Sequence, residues 1–352
     1  MKPIAIRLKR QTMKTRGIIG IWLLGLLVSL TAHPSAAQEK LNRGRVLKLE
    51  ELTFSEIDAL DRDKTIFFLT FGNLEEHGPH LPVGSDYYGA VGVRDGLIAR
   101  LQTAHHDHSF VIMPVVPLGE GGGNDLAYQF DHIGTFAVRF ETLRDVAVDL
   151  GTSVARKGFQ KIFLIHAHGA PLHNMALTQA AAFVSERYGV RMVNLTSLVF
   201  AEGFGSERIM DKHLGEGWQE RIGWEGHAGA RETSGHLFLR GDLVKSDYKR
   251  LPPFVAKDFA AVLRTREREG WQGYWGDPAR ASKQMGKELI EDEVERHFRI
   301  AQMALAGKDL SQLPVYPDNL PPLPESEELL QKQLENHARQ KAEIEAWLRK
   351  RH

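Results

Sequence analysis

The stretch TIFFLTFGNLEEHGPHLPVGSD, residues 65–86, joins an apolar run to a loop rich in carboxylates and imidazoles. Residues 65–71 are continuously apolar or small, which predicts a strand buried in a sheet. The loop that follows holds more ionisable side chains than a solvated turn needs: Glu75, Glu76, His77, His80 and Asp86. We therefore expect a functional site directly after this strand.

Composition limits the chemistry that this site can use. The chain has 352 residues, with 45 basic and 45 acidic side chains, and this length suits one large domain or two small ones. Without net positive charge or a basic stripe with interleaved aromatics, we expect no nucleic-acid partner. The sequence has no cysteine, which excludes thiol nucleophiles, disulfides, iron–sulfur clusters and thiolate zinc sites. Any metal must therefore be bound through nitrogen and oxygen.

Residues 1–37 have the layout of a secretory signal peptide. A basic segment precedes an apolar run at 17–32, and small residues follow at Ser35 and Ala37, which indicates cleavage after Ala37. The apolar run has roughly 16 residues, fewer than the about 20 of a membrane-spanning helix. We expect an exported mature domain in a bacterial periplasm, held at the membrane only if the signal is not cleaved.

Short apolar runs alternate with longer periodic segments from residue 65 to residue 196. Strands are predicted over residues 65–71, 109–119, 161–170 and 190–196. Helices are predicted over residues 87–101, 141–158 and 173–189. This alternation favours a mostly parallel sheet covered on both faces by helices.

The chain shows no internal repeat or linker before its C-terminal part, so residues 38–314 are predicted to form one domain. Residues 315–352 differ in composition, with a proline-rich segment followed by a charged helix that carries a leucine-based stripe. We expect this helix to pack on its own domain or on a neighbouring subunit.

Candidate ligands follow two of the predicted strands. Glu75 and His77 come after the strand at 65–71, and His166 and His168 close the strand at 161–170. Ligands of open parallel sheets bind outside the carboxyl ends of the strands, so we expect these side chains to share one crevice. Further candidates are Asp86, His227 and Glu232.

Imidazole and carboxylate ligands without sulfur suit zinc, manganese or iron. A carboxylate such as Asp86 could bridge two ions, and a bridged water becomes a nucleophile at neutral pH. Each residue has a simpler explanation, since a lone histidine at a strand end is usually a hydrogen-bonded core or loop residue. The metal hypothesis depends on the combination of three His/carboxylate segments, each beside a strand end or a glycine-rich loop.

Other site types have weaker support in the sequence. The glycines at 121–123 could cradle a phosphate, but no Lys-Ser or Lys-Thr pair follows them. A serine triad is not indicated, because the sequence has no G-x-S-x-G element and Ser234 lies in no recognisable nucleophile elbow.

Ordered motifs between residues 60 and 300 resemble those of the creatininase (creatinine amidohydrolase) family. The motifs are GNLEEHGPHLPVGSD (72–86), HIGTFAVRFETL (132–143), KIFLIHAHGAPLHN (161–174), EGHAGARETS (225–234) and GYWGDPARASKQMGKEL (273–289). The resemblance implies a three-layer α/β/α sandwich with a mostly parallel central sheet, often assembled as a homohexamer. It also implies a hydrolytic centre with two metal ions that acts on amide bonds of small molecules.

The resemblance also implies roles for single residues. Glu75 and His77 would bind different ions, Asp86 would bridge them, and His168 would be a further ligand. Glu76 stands where the family usually has glutamine and is not expected to bind metal, and His80 is expected to hold the loop.

The resemblance extends to residues that would handle protons. His227 would relay a proton to the leaving nitrogen, since imidazole titrates near neutral pH. Glu232 would bind the second ion or act as general base, and the sequence leaves both roles open.

Two departures from the family pattern bear on the substrate and the second ion. His166 stands where the family has an asparagine. Ala170 stands where creatininase itself has a glutamate that binds the second ion, which argues against creatinine as substrate. Glu232, His166 or His173 would have to complete the second metal site.

Together these observations predict an exported metal-dependent amidohydrolase of the creatininase family. Two divalent ions per chain, of zinc, manganese or iron, would supply a metal-bound hydroxide that hydrolyses a small cyclic amide or a formamide-type C–N bond. Two alternatives remain: a non-catalytic periplasmic binding protein on the same fold, and a metal-dependent lactonase or esterase.

Overall fold

The apolar run quoted above forms the middle of the sheet. In the computed structural model, all six residues of Thr65–Thr70 are buried, as a strand covered on both faces requires. The described residues form five strands: β1 (Val46–Lys48), β2 (Thr65–Thr70), β3 (Ser109–Ile112), β4 (Lys161–Ile165) and β5 (Arg191–Asn194). Their order in the sheet is β1-β3-β2-β4-β5, and all neighbouring strands are parallel. The predicted parallel sheet is thus confirmed.

The structure describes residues 44–121, 133–203, 207–223, 225–256, 261, 271–318 and 324–351. The signal peptide predicted over residues 1–37 and most of the glycine-rich loop at 121–124 lie outside these ranges. Ten α-helices lie within them: α1 (Phe54–Asp58), α2 (Ser85–Ala104), α3 (Phe140–Ala155), α4 (Pro171–Tyr188), α5 (Leu195–Phe200), α6 (Glu207–Leu214), α7 (Trp218–Ile222), α8 (Ala230–Leu239), α9 (Lys283–Leu305) and α10 (Pro324–Arg349).

Successive residues of the central strand pack on opposite sides of the sheet, because side chains alternate along a strand. Phe67 and Leu69 of β2 belong to a buried cluster with residues of α3 and α4. Ile66 and Phe68 belong to a second cluster with residues of α2, α5 and α9. Helices therefore cover both faces of the sheet, and the predicted three-layer α/β/α sandwich is confirmed.

The third strand is shorter than its apolar sequence predicts. It ends at Ile112, two residues before Pro114, which has no amide hydrogen for the ladder. Within the described residues, the chain then rejoins the sheet through a bridge between Phe71 and Val116. The loop that begins there leads to Glu120 beside the candidate site.

The C-terminal helix α10 packs on its own domain. Leu330 and Leu334 contact the buried cluster formed with α3 and α4, as one of the two expected placements requires. Among the residues that the structure describes, no helix combines the length and the apolarity that a bilayer span requires.

Candidate active site

Two neighbouring strands carry the first candidate residues to the same edge of the sheet. Thr70 of β2 lies opposite Ile165 of β4, and Phe71 N donates to Ile165 O at 2.9 Å. Because these parallel strands end at the same level, the loops that follow them begin side by side. One loop holds Glu75 and His77, the other holds His168, and Asp86 lies in the first turn of α2.

The carboxylates of Glu75 and Asp86 converge on one nitrogen of His168. Its Nδ1 lies 3.0 Å from Glu75 Oε2 and 3.0 Å from Asp86 Oδ2. All three side chains are buried. Together they form one of two groups whose ligand atoms lie close enough to hold a metal ion.

The second group consists of Glu75, His77 and His227. The other oxygen of Glu75, Oε1, lies 3.8 Å from His227 Nδ1, and the His77 and His227 rings lie 4.2 Å apart. Asp86 also reaches this group, since its Oδ1 is 3.8 Å from His77 Nε2. Glu75 and Asp86 thus each direct one oxygen to His168 and the other to a histidine of the second group.

His77, His168 and His227 each form a hydrogen bond from one ring nitrogen to a backbone carbonyl. His77 Nδ1 lies 3.0 Å from Glu75 O, His168 Nε2 lies 3.2 Å from Glu120 O, and His227 Nε2 lies 2.8 Å from Glu76 O. A carbonyl only accepts, so these nitrogens carry the hydrogen, and in the neutral rings the opposite nitrogens carry lone pairs directed at the carboxylates. Histidine ligands of metals usually show this arrangement. The donor set therefore fits divalent ions that prefer nitrogen and oxygen.

Glu232 is the most accessible member of the predicted site, with its side chain 30% exposed. Its Oε2 accepts from Ala228 N at 2.6 Å and lies 3.6 Å from His77 Nε2. It belongs to neither ligand group found among the described residues. Its side chain is therefore in contact with solvent, unlike the other members of the site.

The charges of the site shift the pKa values of its members in opposite directions. Burial lowers the pKa of His77, but the carboxylates of Asp86, Glu232 and Glu75 outweigh it and raise that pKa to about 9. Burial also lowers the pKa of His168, yet Glu75 and Asp86 hold it well above its usual value. Conversely, burial raises the pKa of Asp86, but His168 and His77 lower it overall. Without a bound ion, protons on the imidazoles compensate the buried carboxylates.

Glu225 fixes the segment that carries His227 and Glu232. Its carboxylate accepts from Asp277 N at 2.8 Å and from Arg231 N at 3.3 Å. Trp275 N donates to His227 O at 2.9 Å. The motifs at 225–234 and 273–289 are therefore held together beside the site. Burial raises the pKa of Glu225 to about 8, against the opposing effect of the backbone hydrogen bonds from Asp277, Arg231 and Ala230.

Glu76 and His80, which are not expected to bind metal, lie beside the candidate ligands. Glu76 Oε2 accepts from Gly78 N at 2.9 Å, and Glu76 is in neither ligand group. His80 Nε2 lies 2.8 Å from Thr233 Oγ1, which links the loop 72–84 to α8. Both side chains stabilise the loop that carries Glu75 and His77.

The extra histidines near Ala170 are buried but lie outside both ligand groups of the described residues. His166 is fully buried, neither of its ring nitrogens has a hydrogen-bond partner among the described residues, and its pKa is lowered to about 3 by burial and then by His168. His173 accepts from Glu120 N through Nδ1 at 3.2 Å. A role for either ring as the missing ligand of the second ion stays a prediction.

The sequence analysis missed three residues at the back of the site. Glu120 is fully buried, and its carboxyl contacts Gln333 and His337 of α10. Burial raises the pKa of Glu120 to about 8, against the opposing effects of His168 and Gln333. A signal for Glu120 existed, because it directly follows the predicted strand at 109–119. Gln333 and His337 lie in an ordinary charged helix, and no local pattern distinguishes them.

A family model described as creatininase, creatinine amidohydrolase, matches residues 50–300. The chain is 26% identical over 268 residues to the mycofactocin precursor peptide peptidase of Mycobacterium ulcerans, covering 72% of this chain and 93% of that protein. It is 27% identical over 231 residues to the protein of the same name from Mycolicibacterium smegmatis, covering 63% of this chain and 78% of that protein.

Solved creatininase structures share the fold. A mutant creatininase of Zn-Zn type superposes with a TM-score of 0.57 at 20% identity and covers 74% of this chain and 99% of its own. A manganese creatininase gives the same TM-score and identity, with the same coverage of both chains. A putative creatinine amidohydrolase from Bacteroides fragilis gives a TM-score of 0.52 at 19% identity and covers 76% and 98% of the two chains. Helix α10 lies beyond the residues that the family model matches.

Proposed function

The chain belongs to the creatininase family, and from this premise we propose that it is a metal-dependent hydrolase of an amide C–N bond. The observation that carries the proposal is the convergence of three histidine nitrogens and the carboxylates of Glu75 and Asp86 in a buried cluster. Burying several charged side chains destabilises the folded protein unless a cation or bound protons neutralise the carboxylates. Two adjacent ligand groups that share a carboxylate suit a pair of ions.

In the proposed centre, Glu75, Asp86 and His168 would hold one ion, and Glu75, His77 and His227 would hold the other. Bound divalent ions would lower the pKa of a water molecule and polarise the carbonyl of the substrate. The chain itself supplies the rigid geometry. Backbone carbonyls fix the orientation of all three rings, which keeps their lone pairs aimed at the centre.

Glu232 is the group that we propose to move a proton during hydrolysis. It is partly open to solvent, and the Ala228 amide fixes its carboxylate. A carboxylate in this position can take a proton from the attacking water and return it to the leaving nitrogen. A ligand role for Glu232 is less favoured, because it lies outside both groups of converging ligand atoms.

We propose a small cyclic amide or a formamide-type compound as the substrate class. The motif departures at His166 and Ala170 argue against creatinine. A peptide amide bond is the second candidate, and the observation that favours it is the name of the mycobacterial relatives, which are peptide peptidases. Both classes share the bond that the centre would cleave.

The experiment that tests the proposal measures metal content and turnover together. The mature protein, reconstituted with zinc, manganese or iron, should hold about two ions per chain by elemental mass spectrometry. Asp86→Ala should lose ions and turnover. Asp95→Ala, a change on the exposed side of the same helix, should lose neither. A wild-type protein that binds no metal after reconstitution would refute the proposal.

The substrate panel separates the candidates. Cyclic amides, formamides, short peptides and matched esters would be compared as kcat/KM values. Turnover of cyclic amides or formamides supports the first candidate, and turnover of peptides alone supports the second. Faster hydrolysis of the esters would indicate a lactonase or esterase. Bound metal without turnover of any substrate would favour the non-catalytic binding protein.

A further inference from the structure

Helix α10 buries two polar side chains on the face that packs against the domain, where a purely structural helix would bury apolar side chains. Leu330, Gln333, Leu334 and His337 have the spacing of one helical face. The two leucines contact the core, while Gln333 and His337 are only 2% and 1% exposed. Burying an amide and an imidazole costs free energy unless they gain hydrogen bonds, so their partners indicate why this face is polar.

Both polar residues of this face approach the side chain of Glu120. Gln333 Nε2 donates to Glu120 Oε1 at 2.5 Å, and His337 Nε2 lies 3.7 Å from the same oxygen. The opposite nitrogen of His337 accepts from Phe140 N at 3.3 Å, the first amide of α3. The helix is therefore fixed by specific polar contacts at two points.

The backbone of Glu120 in turn contacts the proposed metal centre. Its carbonyl accepts from His168 Nε2 at 3.2 Å, which leaves Nδ1 directed at Glu75 and Asp86. Its amide donates to His173 Nδ1. Asn73, from the loop after β2, donates to the carbonyl of Gly121 at 3.3 Å. Of the residues that contact Glu120, Gln333 and His337 lie outside the segment that the family model matches, and Gln333 donates the hydrogen bond to its carboxyl.

We propose that Gln333, by holding Glu120, is a positioning residue for His168, and that α10 thereby tunes one of the two metal positions. This inference rests on the proposed function. Gln333 holds the side chain of Glu120, and the backbone carbonyl of Glu120 accepts a hydrogen bond from His168 Nε2. The partner of the ring nitrogen that does not bind metal orients a histidine ligand, and losing that partner typically weakens metal binding.

The test compares metal affinities of full-length variants by competition with a chelator, using zinc and manganese. Gln333→Leu keeps the volume of the side chain but removes the donor to Glu120. We expect one of the two ions to bind about 10-fold more weakly, while the ion at His77 and His227 is unaffected. Gln331→Leu is the matched control, because Gln331 is exposed on the same helix and donates to Glu335 Oε1, away from Glu120.

Two further measurements separate positioning from folding. Glu120→Gln keeps an acceptor for Gln333 and should preserve the affinity of both ions, whereas Glu120→Ala should weaken the same ion as Gln333→Leu. Thermal unfolding of the metal-free variants reports any loss of stability.

Equal metal affinity of Gln333→Leu and wild type would overturn the inference, even if the variant unfolds at a lower temperature. An equal loss at both ions would also overturn it, because that result indicates general destabilisation. If the wild type binds no metal, the proposed function fails and this inference fails with it.

Discussion

Ala170 is the single residue that most changes the expected metal chemistry. The family resemblance implies a carboxylate for the second ion at this position, and neither His166 nor His173 belongs to a candidate ligand group of the described residues. The structure instead brings His227 Nδ1 to the second group. The expected proton relay would use this same atom, because the other nitrogen of His227 donates to Glu76 O.

We therefore expect His227→Ala to bind about one ion per chain instead of two, with loss of most turnover. Elemental mass spectrometry of the reconstituted variant measures the stoichiometry. His213→Ala is a suitable control, because His213 is partly buried against Glu288 and neither residue belongs to a candidate ligand group of the described residues. If the variant keeps both ions and loses only turnover, His227 is a proton relay as the family resemblance implies.

The pKa shifts of His77 and His168 predict that metal binding depends on pH. Both pKa values are raised in the protein without a bound ion, that of His77 to about 9, so His77 is protonated at neutral pH and His168 keeps its proton to a higher pH than free imidazole does. A bound ion must displace these protons.

We expect the metal affinity to rise between pH 6 and pH 9, by up to about 10-fold per pH unit for each proton displaced. Calorimetric titrations in buffers of different ionisation enthalpy would measure the protons released. Affinity that is constant over this range, with no proton release, would show that the rings are neutral before the ion binds.

At the scale of elements, the site depends on how two loops meet. Glu225 accepts the amide of Asp277, and this contact holds the segment before α8 against the segment before α9. Gly276 makes the close approach possible, because it adopts φ +97° and a Cβ atom there would overlap the carboxylate of Glu225. A side chain at this position is disfavoured both by the backbone conformation and by the space.

We expect Gly276→Ala to lower the free energy of unfolding by about 2–4 kcal/mol. We also expect weaker metal binding, because the segment that carries His227 would be displaced. Gly307→Ala is the matched control, since Gly307 has φ +75° with no atom near the added Cβ. We expect Gly307→Ala to lower the free energy of unfolding by about 1–2 kcal/mol, which is the strain of a left-handed backbone conformation alone. Denaturant unfolding measures both free energies of unfolding. Equal losses of stability in the two variants would show that the contact between the added Cβ atom and Glu225 does not destabilise the fold.

At the scale of the whole molecule, the parallel sheet brings distant parts of the chain to one edge. The candidate ligands come from residue 75 to residue 227, and α10 adds contacts from residues 333 and 337. The homohexamer implied by the family and the export of the protein stay predictions. The first concerns contacts between chains, and the second concerns residues 1–37, which lie outside the described ranges.

Export predicts a defined new N-terminus. When the full chain is expressed in a bacterium with a periplasm, we expect the mature protein to begin at Gln38 after cleavage behind Ala37. Cell fractionation followed by intact mass measurement would show this directly. A full-length chain in the membrane fraction would indicate an uncleaved anchor, and a full-length chain in the cytoplasm would contradict export.

The sequence by itself determined the sheet and identified the main candidate ligands. The apolar run at 65–71 predicted a buried strand, and the loop after it held Glu75, His77 and Asp86 within a short distance along the chain. Local patterns of this kind survive folding, because strand periodicity and turn residues depend on near neighbours. The motif order from 72 to 289 was likewise visible without coordinates.

Only the tertiary structure decided which distant groups complete the site. The role of His227 depends on which of its nitrogens faces Glu75, and that is set by a hydrogen bond to Glu76 O across 151 positions of the chain. The contact of Gln333 with Glu120 spans 213 positions. No local sequence pattern encodes such pairs, because they arise when separate elements pack around one core and bring remote polar groups within hydrogen-bond distance.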